Sequence, residues 1–108
     1  MRRIAAIAIT IVLSTAIAGV GLSPATAANK KKAYTIAEVR THNKATDCWA
    51  VINKKVYDLT KWVAQHPGGS GAIIRLCGTD GTRAFTGKHA GKSGPMSQLA
   101  RYQIGVLR

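Results

Sequence analysis

Four side chains in the 108-residue sequence could do chemistry beyond packing and surface charge: His66 and His89, 23 residues apart, and the only two cysteines, Cys48 and Cys77. Neutral imidazole ligates transition metals, and thiols either ligate zinc or pair with each other. No Cys/His pair lies close enough in sequence to supply half of a tetrahedral zinc site. The cysteines also stand too far apart for the C-x-x-C-H pattern that attaches a c-type haem covalently. Cys48 and Cys77 are read as a disulfide, with two buried free thiols as the alternative. A bridge would close a loop of about 30 residues and stabilise by roughly 3–4 kcal/mol in the chain-entropy model. No nucleophile–base pair or phosphate-cradling glycine loop stands out, so the expectation is a protein that is not an enzyme.

The elements that must position the histidines follow from local chemistry. Thr35-Ile36-Ala37-Glu38 is a capping box, predicting a short helix to about His42. Cys48 to Ile52 has strand composition, Asn53-Lys54-Lys55 makes a turn, and Val56 to Leu59 returns as the second strand of a hairpin. Thr60 is positioned to cap a helix over residues 61–65, which must end where Pro67 and the Gly68-Gly69 pair begin. Ser70 is the next cap, followed by an apolar stripe of Ala72, Ile73, Leu76 and Cys77 that Gly78 stops. Thr79 or Asp80 starts a further helix carrying Ala84 and Phe85 toward His89. Gly91 to Gly94 leads to Pro95 at the start of a helix over 95–102, and Gln103 to Leu107 closes the chain as a strand. Short helices in pairs between few strands indicate an α+β fold with the helices gathered at one end.

Each histidine thus occupies a helix–loop corner. Two such corners could hold a planar cofactor with one imidazole on each face, and Gly68 and Gly69 would leave the backbone approach open. That cofactor would be haem, and filling both axial positions favours electron transfer over oxygen chemistry. On the residues alone, two surface or structural histidines are the competing reading.

The surroundings of the histidines carry a resemblance. Val56-Tyr57-Asp58-Leu59-Thr60, then Trp62, then His66-Pro67-Gly68-Gly69, preceded by Asp47-Cys48-Trp49 and followed by Gly78-Thr79-Asp80-Gly81-Thr82 and Phe85, resembles the cytochrome b5 family from Tyr34 to Leu107. The resemblance implies a small mixed sheet with short helix pairs forming a pocket for one haem b per domain. It implies His66 and His89 as the axial ligands and His42, in Thr41-His42-Asn43, as a structural residue. Pro67, Gly68, Leu59, Trp62, Val63, Ile73, Leu76, Phe85 and Leu99 are then candidates for the pocket and its apolar wall, and Lys88 and Lys92 for pairing with the haem propionates. The sequence departs from the family around the second histidine. Thr86-Gly87-Lys88-His89-Ala90-Gly91 lacks the usual glycine before it and the hydroxyl residue after it. Where members that dock on basic partners carry acidic residues, Lys88 and Lys92 stand here.

Composition locates the domain. Arg2 and Arg3 precede an uncharged stretch from Ile4 to Leu22, and Ala25-Thr26-Ala27 fits a small-x-small cleavage rule. Residues 1–27 are therefore read as a signal peptide, 28–33 with Lys30-Lys31-Lys32 as a basic spacer, and 34–108 as the haem-binding domain. The alternative is an uncleaved membrane anchor, since the 19 residues could span roughly 28 Å at about 1.5 Å per residue. N-terminal sequencing of the exported protein is expected to begin at Ala28; a retained Met1 would refute cleavage. The arginine pair lacks the neighbours of a twin-arginine signal, so export unfolded, with the cofactor added outside, is expected. Cleavage leaves 14 basic against 4 acidic residues. So basic a surface suits redox partners with acidic or neutral faces, or association with anionic membrane or wall polymer, and export argues against nucleic acid. The expectation is an exported, free-standing, monomeric one-electron carrier. The alternatives are a haem capture, delivery or sensing module, and a basic adaptor without cofactor.

Overall fold

The computed structural model describes residues 31–108. The leader read over 1–27 and the first three residues of the spacer lie outside the described residues. Among these described residues there are six strands: β1 (Ala33–Tyr34), β2 (Asn43–Lys44), β3 (Asp47–Ile52), β4 (Lys55–Asp58), β5 (Thr79–Asp80) and β6 (Gln103–Leu107). Four helices accompany them: α1 (Ile36–Arg40), α2 (Gly71–Ile74), α3 (Thr82–His89) and α4 (Ser93–Ala100). The sheet runs β1-β6-β4-β3-β2, with β5 added to β3, and the architecture is α+β as the sequence predicts. The parallel pairs are β1·β6 and β3·β5, the others being antiparallel.

Alternation along the sheet sorts the core into two layers. Cys48, Ala50 and Ile52 of β3 join Tyr57, Leu59, Val63, Ile73, Cys77 and Leu99 on one side. Val51 joins Val56 and Val39 of α1 on the other, with Trp49, Tyr34 and Ile36 packed against them. The first layer carries the histidine corners. Cys48 and Cys77 are joined as a disulfide within it, their Cα atoms 4.6 Å apart, so the free-thiol alternative does not hold.

Local chemistry explains the elements and the departures from expectation. The capping box forms as predicted, the Glu38 amide donating to Thr35 Oγ1 at 3.1 Å and the Thr35 amide to Glu38 Oε2 at 2.7 Å. The expected helix over 61–65 is instead a pair of turns, in which the Leu59 carbonyl accepts from Trp62 and Val63 and the Trp62 carbonyl from Gln65 and His66. Thr60 does not cap it. Its hydroxyl donates to Asp58 at 2.6 Å and accepts from the Cys48 amide at 3.0 Å, so it fastens β3 to the end of β4. Ser70 is itself helical in conformation and makes no side-chain cap. The helix expected over 71–77 is regular only to Ile74, because Leu76 and Cys77 donate three residues back, to Ile73 and Ile74, and tighten the last turn. Helix α4 starts at Ser93 rather than at Pro95, which occupies its third position, where the missing amide would also lack an intrahelical partner.

Gly78 ends the α2 segment with φ +78°, and its amide donates to the Trp49 carbonyl at 2.6 Å. A Cβ there would stand 2.6 Å from the Asn43 Cβ. Gly78→Ala is expected to cost on the order of 1–3 kcal/mol, read as a lower midpoint in urea with an unchanged slope.

Candidate haem site

His66 is positioned by a turn whose every residue type has a reason. Its carbonyl accepts from the Gly69 amide at 3.1 Å across Pro67-Gly68. Proline supplies the fixed φ of the second position, and Gly68, at φ +92°, the left-handed third position of a type II turn. Gly69 continues at φ +111° and turns its carbonyl back onto the histidine, where His66 Nδ1 donates to it at 3.0 Å. A carbonyl only accepts, so Nδ1 carries a proton, and in the neutral ring Nε2 is the nitrogen with the free lone pair. Trp62, one turn earlier, sets its ring edge-on to His66, with centroids 5.8 Å apart.

His89 lines the same cavity, as the last residue of α3. Phe85 precedes it by one turn on the same helical face, with ring centroids 5.1 Å apart. The N-terminus of α3 is fixed by Asp80, which accepts from the Thr82 amide at 3.0 Å and from the Thr82 hydroxyl at 2.6 Å. The same hydroxyl accepts from the Asn53 amide at 2.9 Å, anchoring α3 to the β3–β4 turn. Desolvation, with the neighbouring His66, Lys92 and Lys88, holds the His89 pKa below the usual histidine value. That favours the neutral, ligating form.

Between the histidines lies a cavity of about 890 Å³. The structure brings nearly all the predicted residues to it: Leu59, Trp62, His66, Pro67, Gly68, Ile73, Leu76, Phe85, Lys88, His89, Lys92 and Leu99. Val63 is the exception, since it does not line the cavity and is buried in the core cluster behind it. Sequence reasoning missed Ile52, Ala72, Arg75 and Ala84, together with Gly94, Pro95 and Gln98 of α4. Spacing could have found Ala72 and Pro95, each four residues before a wall residue, Leu76 and Leu99. Nothing local marks Arg75. His42 is not among the lining residues: its ring stacks on Trp49 with centroids 3.6 Å apart, and its Nδ1 lies 2.6 Å from Asp47 Oδ1.

The two imidazole centroids stand 6.4 Å apart at 72°. Rings that each place a nitrogen about 2 Å from one shared metal, on opposite sides, have centroids roughly 6 Å apart, so the residues fit an iron porphyrin between them.

Comparison with known proteins identifies the family. Residues 35–108 match the family described as "Cytochrome b5-like Heme/Steroid binding domain". The solved structure of Ectothiorhodospira vacuolata cytochrome b558, a prokaryotic homologue of cytochrome b5, is 38% identical, covers 72% of this chain and all of its own, and superposes with a TM-score of 0.66. Cytochrome b5 of Borago officinalis is 40% identical over 76 residues, which are 70% of this chain and 57% of that protein. The Delta(5) fatty acid desaturase A of Dictyostelium discoideum is also 40% identical over 76 residues, but the match spans 16% of its length. A domain of this kind thus occurs both as most of a small cytochrome and as a minor part of a large enzyme. With its matched residues running from the N-cap of α1 to the last strand and enclosing the two imidazoles, the chain belongs to the cytochrome b5 family, whose domains each bind one haem b.

Proposed function

We propose that this protein is a one-electron carrier operating outside the cytoplasm, with haem b held between His66 and His89 as axial ligands. The observation that carries the reading is the pair of imidazoles 6.4 Å apart across an apolar cavity. When bound, haem b supplies an iron that alternates between ferric and ferrous states. The chain does the rest. The Gly69 carbonyl holds a proton on His66 Nδ1 and so directs Nε2 to the iron, and with His89 as the second ligand no position would be left for small ligands. Leu59, Trp62, Ile73, Leu76, Phe85 and Leu99 exclude water from the porphyrin faces. Lys88 and Lys92 offset the propionate charge at the mouth. A steroid would give the two imidazoles nothing to ligate. The leader read over residues 1–27 supports the extracytoplasmic assignment, and the domain by itself turns over no substrate.

The test is a haem titration of residues 28–108, with absorption spectra recorded oxidised, reduced, and reduced under carbon monoxide. One equivalent taken up with a six-coordinate spectrum indifferent to carbon monoxide is the expected result. A spectrum that shifts with carbon monoxide would replace the carrier by a ligand-sensing or haem-delivery module. No uptake would refute both.

A further inference from the structure

The sequence has only four carboxylate side chains, and the fold engages all of them away from the cavity. Glu38 closes the α1 capping box, Asp47 pairs with His42, Asp58 holds Thr60, and Asp80 holds Thr82. None lines the cavity, whereas Arg75, Lys88 and Lys92 do. These cations come from three separate segments: the turn after α2, α3, and the residue preceding α4. Among the described residues the one ion pair is His42–Asp47, so no lysine or arginine is neutralised by a carboxylate. Two haem propionates at this mouth would leave at least one of the three cations without a countercharge.

From this asymmetry we propose that the cavity rim formed by Arg75, Lys88 and Lys92 is the docking surface for a redox partner protein with an acidic contact face. The proposal rests on the carrier reading, because an electron passes most readily where the porphyrin edge approaches the surface. Charge complementarity selects the partner, and the three cations are exposed residues of the cavity lining, so carboxylates drawn to them would bring the partner's own cofactor toward the haem edge. An anionic bilayer is the weaker match. The exposed large apolar side chains of the described residues are only Ile74 and Met96, at 43% and 47%, too little for an interfacial anchor.

The experiment follows, by stopped flow, electron transfer from a reduced acidic flavodoxin to the ferric haem-loaded protein. Ionic strength is raised from about 0.01 M to about 1 M, over which the screening length shrinks from about 30 to about 3 Å. The rate is expected to fall by about 10-fold or more. A triple variant, Arg75→Gln with Lys88→Gln and Lys92→Gln, is expected to lose most of that salt dependence. A second triple, Lys44→Gln with Lys54→Gln and Lys55→Gln, removes the same charge at sites that do not line the cavity and should retain it. Equal losses in the two variants would mean that net charge alone steers the encounter, and would overturn the proposal. So would a rim variant that leaves the flavodoxin rate unchanged but no longer sediments with phosphatidylglycerol vesicles, which would make the rim a lipid surface. Haem uptake by the wild type with no salt-dependent rate removes the docking proposal alone; absence of haem uptake removes the carrier reading and the docking proposal with it.

Discussion

His66→Ala and His89→Ala are each expected to lower haem affinity by roughly 100-fold or more, since removing even a group that only orients a metal ligand costs about 10–100-fold. Each should replace the six-coordinate spectrum with one that responds to carbon monoxide. The two losses should be unequal. His66 is pinned at three points, by its bond to the Gly69 carbonyl, by the Pro67-Gly68 turn and by the Trp62 edge. His89 sits at the end of α3 with Phe85 beside it and no side-chain hydrogen bond to orient its ring among the described contacts. The His89→Ala protein keeps the oriented ligand and should retain more haem than His66→Ala. Titration of both variants alongside His42→Ala is the check. Unchanged spectra in His89→Ala, or a loss in His42→Ala as large as in the other two, would refute the ligand assignment.

Breaking the Cys48–Cys77 bridge is expected to be the most damaging change outside the ligands. The two residues are 29 apart, both are buried, and the bond ties strand β3 to the turn behind the cavity wall. In the chain-entropy model its loss costs roughly 3–4 kcal/mol, set against a total of about 5–15 kcal/mol for domains in general. In a domain of this size that is much of the margin. The apo protein carrying Cys48→Ala and Cys77→Ala should therefore melt far below the wild type or be unfolded outright. Haem binds the native state alone and adds stability by mass action, about 4 kcal/mol at a thousandfold excess over Kd, so it should restore a cooperative transition. Calorimetry of both proteins with and without haem decides the matter. Apo proteins of equal stability would show that the bridge contributes nothing.

What could be read from the sequence was what local chemistry dictates. The capping box at Thr35, the His66-Pro67-Gly68-Gly69 corner, the β3–β4 hairpin and the stop at Gly78 each depend on a few adjacent residues, and the wall residues followed from the family resemblance those motifs carry. What was missed depends on distant partners. Strands β1, β2 and β5 have two residues each, too few for any periodicity, and exist because β6 and β3 present open edges to them. Thr60 has the composition of a cap, yet the Asp58 carboxylate two residues earlier claims its hydroxyl. Val63 is apolar and lies beside Trp62, but the turn that replaces the expected helix sends it behind the wall. Arg75 faces the cavity because α2 tightens after Ile74, which no pattern of residue types announces.

The strand order carries a kinetic consequence. β6, the last strand in the chain, lies inside the sheet between β1 and β4, and Ala33 pairs with Val106, 73 positions later. The sheet cannot close around its centre until Gln103–Leu107 is available, so folding cannot proceed from the N-terminus as the chain emerges. Pairings of such span place the domain among slower folders, whose search for the native state is dominated by loop closure. Until β6 is available the domain stays open to whatever handles unfolded chains, and its sheet is completed only when that strand is in place.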